Sequence, residues 1–311
     1  YIPFCFYLCF VYFRRAEDAR VLIFSFVIAV IFPLLFIFIQ KATGYTWRYH
    51  ETTGLIRSQG VYHDAAIARI FIIQGLLGIY IYWHYFLNKT NRLIKYLLVL
   101  LSLVCLIGIY FLYSKAIVVT FILWLLLFSF LQKRIYILPL AFGLLLLINL
   151  IFGNRIVHDM RSLFSKEIEF AEGNISSDYV LAGRGGIWRI YSRQWKDLPI
   201  LEKIIGTGRS HLHYHNDFLR VLYTGGLLLL VLYEILIFSF FIRVINRFYK
   251  EKKIIHFAAL LVIAYYLTES MGALPGFYPI IQPVTWGLVS LSLSSNLKWI
   301  EKSKRRFIYV Q

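Results

Sequence analysis

Apolar positions in this chain run in long blocks, broken by short charged clusters and by two long polar segments. Blocks lie near 1–13, 21–40, 65–87, 96–113, 116–132, 135–153, 218–242, 254–270 and 277–296. A bilayer core about 30 Å thick is crossed by about 20 apolar residues in a helix, the form that pairs every backbone polar group away from water. The blocks therefore predict an all-α, polytopic transmembrane bundle of about nine spans, the first too short to be a whole helix. Residues 1–153 form N-terminal spans with a short polar loop at 41–64. Residues 154–217 form one large loop, and 218–311 hold the last spans and a basic tail.

Composition agrees with this reading. Hydrophobic residues make up 59% of the chain, aromatic residues 18%, and mean hydropathy is +0.67, outside the range of an ordinary soluble domain. The net charge of +17 would suggest a nucleic-acid partner in a soluble protein. Here it is distributed by topology. Alternate short loops, from Arg14 and Arg15 through Lys133 and Arg134 to Arg305 and Arg306, hold 18 of the 33 Lys and Arg residues and only four acidic ones. Cytoplasmic loops carry such an excess, so both long polar segments are expected on the outer side, with anionic lipid and no nucleic acid as the partner of the basic face.

Cys5, Cys9 and Cys105 all fall inside apolar blocks and read as small buried hydrophobes, without a disulfide framework or metal spacing. The first block lacks the basic flank and cleavage site of a secretory signal. With charge placing Tyr1 on the outer side, an odd number of spans is expected upstream.

Chemistry concentrates in the large loop. Ile156, Met160, Leu163, Phe164 and Ile168 recur at helical spacing and predict an amphipathic helix on the membrane face. Further on, Arg184, Trp188, Tyr191 and Trp195 share one helical face beside a cationic stripe of Arg189, Arg193 and Lys196. Aromatic faces stack on sugars and arginine forks clamp phosphate; the same residues also serve as plain interfacial anchors. Pro199 ends that helix, and Gly206-Thr207-Gly208 reads as a tight turn.

Residues 211–226, HLHYHNDFLRVLYTGG, then set three histidines, Asn216, Asp217 and Arg220 where the loop meets an apolar span. Asn216 or Asp217 is placed to cap that helix. His215 has the chemistry of a general base near neutral pH. His211, His213 and His215 alternate without a carboxylate partner or helical pair, which does not make a metal site. In the shorter loop, Arg57, Gly60, His63 and Asp64 precede a span on the same side.

The series Gly183-Arg184 with Trp188, Gly206 and Gly208, His215-Asn216, and Gly225-Gly226 at the head of a span resembles the O-antigen ligase and O-antigen polymerase family of bacterial membrane glycosyltransferases. Arg57 and Gly60 meet its R-x-x-G element, Tyr113-Ser114-Lys115 stands where members often carry a Ser-Arg pair, and Leu229 departs from the ligase pattern. The resemblance implies about a dozen spans in the bacterial cytoplasmic membrane, three of them upstream of this chain. It further implies transfer of a glycan from a polyprenyl-diphosphate lipid to a glycan or lipid-linked acceptor, by inverting displacement without metal or cofactor. Arg57 and Arg184 would stabilise the leaving diphosphate and His215 would take the acceptor proton. Asn216, Trp188, Arg220 and Tyr191 would bind or position sugar. Two branches follow, a polymerase that joins repeat units, favoured by Leu229, and a ligase that delivers the glycan to lipid A core or protein. A lipid-linked oligosaccharide flippase is the rival class; it calls for polar groups along the span interiors, where this sequence has mainly Arg69, Arg220, Glu234 and Glu269.

Overall fold

A computed structural model describes residues 4–7, 11, 16–45, 51–62, 65–87, 91–209, 214–276, 278–279 and 281–294. Most of the first apolar block, His63, Asp64, His211, His213 and the basic tail lie outside the described residues. Helices dominate; the exception is a pair of two-residue antiparallel strands, β1 (Glu51–Thr52) and β2 (Leu55–Ile56).

Thirteen α-helices follow in chain order among the described residues. Helices α1 (Ala16–Ala29) and α2 (Ile31–Thr43) together supply an apolar stretch over Ala19–Thr43. Next come α3 (Ala65–Tyr85), α4 (Arg92–Phe111), α5 (Lys115–Leu131) and α6 (Ile137–Ile151). The loop region holds α7 (Arg155–Leu163), α8 (Ser165–Ala171), α9 (Arg184–Asp197) and α10 (Ile200–Ile205). The chain closes with α11 (Asp217–Glu251), α12 (Ile254–Ser270) and α13 (Ile281–Leu293). Four stretches are long and apolar enough to cross a membrane: Ala19–Thr43, α3, α4 and α11. Helices α5, α12 and α13 are apolar but shorter, and α6 bends by 108° into α7.

Burial sorts these helices. Helices α3, α12 and α13 are enclosed, with Phe257, Tyr265 and Trp286 fully buried, whereas α4, α6 and the later part of α11 turn Leu, Ile and Phe side chains outward. Between apolar helices in lipid, association comes from close packing and interhelical hydrogen bonds rather than from water exclusion. The bonds are present at both ends. The Ser58 amide donates to Phe111 O at 3.1 Å at the loop end, and the Ile255 amide donates to Tyr85 Oη at 3.0 Å at the other.

Two expected elements differ from the sequence reading. The amphipathic helix expected across 156–168 is two helices, α7 and α8, divided at Phe164. Its sharp turn out of α6 is tied by Asn149, which accepts from the Val157 amide at 3.0 Å and donates to Asn154 Oδ1 at 2.8 Å.

The second difference concerns α11, expected as one continuous span from 218. Its backbone leaves the helical range at Gly225 and at Gly226, where φ is +67° and ψ −168°. Tyr233 Oη donates to Asp217 Oδ2 at 2.8 Å, and the Phe218 and Tyr233 rings lie 6.0 Å apart. A straight helix would separate positions 217 and 233 by about 24 Å, at 1.5 Å per residue. The segment 217–224 is therefore a short half-helix folded back on 227–251. Helices of apolar residues break this way when freed backbone groups find other partners. Here the Thr207 and Gly208 amides donate to Tyr223 O at 2.8 Å and Thr224 O at 3.1 Å. A Cβ on Gly206 would stand 2.4 Å from Thr224 O, and one on Gly226 2.2 Å from Ile204 O. The two glycine pairs thus clasp each other, and the G-x-G turn seals the fold of α11.

Candidate functional site

The half-helix begins at Asn216, whose Oδ1 accepts from the Leu219 amide at 3.0 Å. Asn216 is therefore the cap, and the sugar-positioning role expected of it has a sufficient structural alternative. Asp217 is fully buried and does different work. It accepts from Arg220 Nε at 2.7 Å, from Tyr233 Oη at 2.8 Å and from the Gly276 amide at 3.1 Å. Tyr233 Oη also lies 3.0 Å from Tyr266 Oη. Gln282 donates to Pro275 O and accepts from Trp286 Nε1 at 2.7 Å. One polar network joins the half-helix, the return limb of α11, α12, the 271–276 segment and α13.

Two of the expected cations lie against that segment. A Cβ built on Gly276 would lie 2.9 Å from Arg220 Nη2, and one on Gly272 would lie 2.9 Å from Arg184 Nη1. Arg184 and Arg220 come from separate helices and rest on glycines four residues apart. The bare backbone admits both guanidiniums; an alanine at either place would push one away.

Arg184 is set by its own chain of supports. It opens α9 directly after Gly183, which holds φ +82°. The preceding 3-10 turn, Leu181–Gly183, is fixed because the Leu181 amide donates to Glu167 Oε1 at 2.8 Å. Glu167 is in turn gripped by Lys115 Nζ, at 2.8 Å to Oε1 and 2.6 Å to Oε2. Burial alone would raise this carboxyl, but the Lys115 and Leu181 hydrogen bonds and the Lys115 charge outweigh it and hold it below the ordinary Glu range. The latch therefore stabilises the folded loop at and above about pH 4.3, the ordinary Glu value, and loses that contribution as pH falls through the lower folded value. The protection factor of the Leu181 amide, its exchange rate relative to the unstructured rate at the same pH, should fall over that acid window. Glu167→Gln should be less protected at neutral pH, with a protection factor that no longer changes with pH; an unchanged profile would remove Glu167 from the support of Arg184.

Tyr113-Ser114-Lys115 has more weight than its motif match suggested. Tyr113 Oη donates to Asp159 of α7 at 3.0 Å, and Tyr110 donates to the same carboxylate. Ser114 Oγ accepts from Arg69, whose Nη2 lies 2.5 Å from Glu269 Oε2 deep in the bundle. Three consecutive side chains thus fasten α7, the α3–α12 ion pair and α8. The Arg69–Glu269 pair also accounts for two of the charges seen in the apolar blocks, since intramembrane ions persist when paired inside the bundle.

The remaining expected residues are distributed as follows. Tyr191 packs edge-on to the fully buried Tyr214 at 4.4 Å and to Tyr223 at 5.6 Å, and its carbonyl accepts from Tyr223 Oη. This contact ties α9 to the half-helix and gives the ring a sufficient structural role. Trp188 is half-buried, and its Nε1 is enclosed without a hydrogen-bond partner. In the cationic stripe Arg189 is taken by Asp178, while Arg193 and Lys196 are exposed. His215 is exposed, at φ +47°, between buried Tyr214 and buried Asn216. Arg57 is half-buried on the strand segment that Ser58 ties to Phe111, a support separate from those of Arg184 and Arg220. Among the described residues no group of three His, Cys, Asp or Glu side chains is arranged to hold a metal ion.

Sequence reading gave Asp217 only a capping role and missed Tyr233, Tyr266, Gln282, Glu167 and the two glycines. Gly272 and Gly276, spaced in an apolar tail, were the one visible signal. No protein family, curated protein or solved structure matches the chain.

Proposed function

We propose that this protein transfers a glycan from a polyprenyl-diphosphate lipid to an acceptor sugar at the loop end of a membrane-embedded bundle, which is the outer face of a bacterial cytoplasmic membrane. The observation that carries this reading is that Arg184 and Arg220 each lie against a glycine of the 271–276 segment. Two guanidiniums along one short segment, from elements locked by separate networks, suit a diphosphate better than a neutral ligand.

The chemistry follows from these residues. His215 takes the proton of the acceptor hydroxyl as its oxygen bonds to the anomeric carbon. The bond from that carbon to the diphosphate oxygen breaks, the electron pair stays on the diphosphate, and configuration inverts. Fixed cations lower the barrier because they need no reorganisation as charge develops. Arg184 fills that role, with Arg57 as the second cation from the shorter loop. Arg220 is shared between Asp217 and the leaving group, and Trp188 flanks the sugar. Repeat-unit polymerisation is the favoured form; ligation to lipid A core or protein uses the same steps with another acceptor.

The test is purified protein in liposomes with a polyprenyl-diphosphate oligosaccharide. Products of higher mass are expected. Movement of the donor across the bilayer with no new product would instead identify a flippase. Arg184→Lys should lower turnover by about 10²-fold or more, since a point charge does not replace the two-pronged fork; full activity in that variant would detach Arg184 from the diphosphate.

A further inference from the structure

Helix α10 is built the wrong way round for a loop in water. Its four apolar residues face out: Ile200 is 74% exposed, Leu201 63%, Ile204 46% and Ile205 53%. A contiguous apolar surface on a polar loop marks a contact with something apolar. The orientation is not slack in the chain, because the backbone is pinned. Gly206 packs on Thr224 and Gly225, and Ile204 O sits against Gly226.

That packing fixes what lies beside the patch. Below the fold at Gly225 and Gly226, α11 continues with Leu228, Leu229, Val231, Leu232 and Ile235 all exposed. The outward side chains of α10 thus border the apolar surface of a helix long enough to cross a bilayer. Cations border the patch on the loop side. Lys203 Nζ reaches back to Lys196 O at 2.5 Å and stands 5.8 Å from the Trp195 ring centre. Arg193 and Lys196 are exposed on α9. An exposed apolar patch flanked by Lys, Arg and Trp has the composition of an interfacial anchor, whose long cationic side chains extend to the phosphate level.

We propose that Ile200–Ile205 inserts into the lipid at the level of the fold in α11, with Lys196 and Lys203 at the phospholipid headgroups. The large loop is then held to the bilayer at a second place, beside the clasp that carries the half-helix. The inference rests on the bilayer-crossing reading of α11 and not on glycan transfer, so it stands or falls separately from the activity.

Nitroxide labels at Leu201→Cys and Ile205→Cys test it, in full-length protein with Cys5, Cys9 and Cys105 replaced by Ala, reconstituted in phosphatidylglycerol-containing liposomes. Leu232→Cys on α11 and Asn174→Cys in the polar stretch supply the lipid and water references. Oxygen should relax the labels at 201 and 205 as it does at 232, with loss of the relaxation by a water-soluble nickel chelate seen at 174. Chelate access equal to that at 174 would overturn the proposal. So would shielding from both reagents, which would mean that a second copy or another protein covers the patch. These side chains are exposed, so the labels do not disturb packing.

Discussion

His215→Ala is expected to lower glycan transfer by about 10²–10⁴-fold, the usual contribution of a positioned proton acceptor, while the protein still folds and retains its lipid-linked donor. The backbone explains why the fold should survive. His215 occupies the left-handed region at φ +47°, its side chain is exposed, and Tyr214 and Asn216 on either side carry the buried contacts. A non-glycine residue there costs roughly 1 kcal/mol, a strain that functional positions often retain. His215→Gly should therefore be more stable than the parent by about that amount and as inactive as the alanine variant. A quantitative product assay beside a thermal melt separates the two effects. Transfer near the parental rate in either variant would withdraw the base assignment.

Most apolar helices were legible because each leaves a long apolar run in the sequence, although four stretches among the described residues, not nine, are long and apolar enough to cross a membrane. The block at 254–270 coincides with α12, and 65–87 contains all of α3. What was illegible is the fold-back of α11, since residues on both sides of Gly225 and Gly226 continue the same apolar pattern. The glycine pair was visible as a motif, but its geometry depends on Thr207 and Gly208 arriving from another part of the chain to satisfy the Tyr223 and Thr224 carbonyls. Pairings were hidden for a similar reason. Arg69 and Glu269 are 200 positions apart, and no local spacing couples Lys115 to Glu167.

The candidate site shows the same division. The polar run at 211–226 drew attention as a whole, and the structure separates its parts by role. Asn216 caps, Asp217 joins three elements, Arg220 is split between Asp217 and the 271–276 segment, and His215 alone of the described residues there is both polar and exposed. The aromatic face on α9 suits either sugar stacking or interfacial anchoring in the sequence. Tyr191 instead serves the Tyr214 and Tyr223 cluster, because a buried phenol ring at a helix crossing contributes more packing than it would in water.

Removing one member of the Asp217–Arg220 pair should produce the largest loss of stability. With Arg220→Ala, a carboxylate with no solvent exposure keeps Tyr233 and Gly276 as donors but loses its cation, a situation that costs about 3–5 kcal/mol. Thermal unfolding in detergent should show a markedly lower midpoint for Arg220→Ala and for Asp217→Ala. Since removing both charges leaves no uncompensated buried ion, the double variant Asp217→Asn/Arg220→Met, whose amide oxygen still accepts from Tyr233 and Gly276, should recover much of the loss. That variant also divides structure from chemistry. If Arg220 only holds the half-helix in place, restored stability should bring restored transfer. If it also meets the diphosphate, the double variant will fold, bind donor weakly and remain slow. Recovery of stability without recovery of transfer is the expected result, because Arg220 Nη2 points at the same glycine-lined segment that receives Arg184, and Asp217 engages only its Nε.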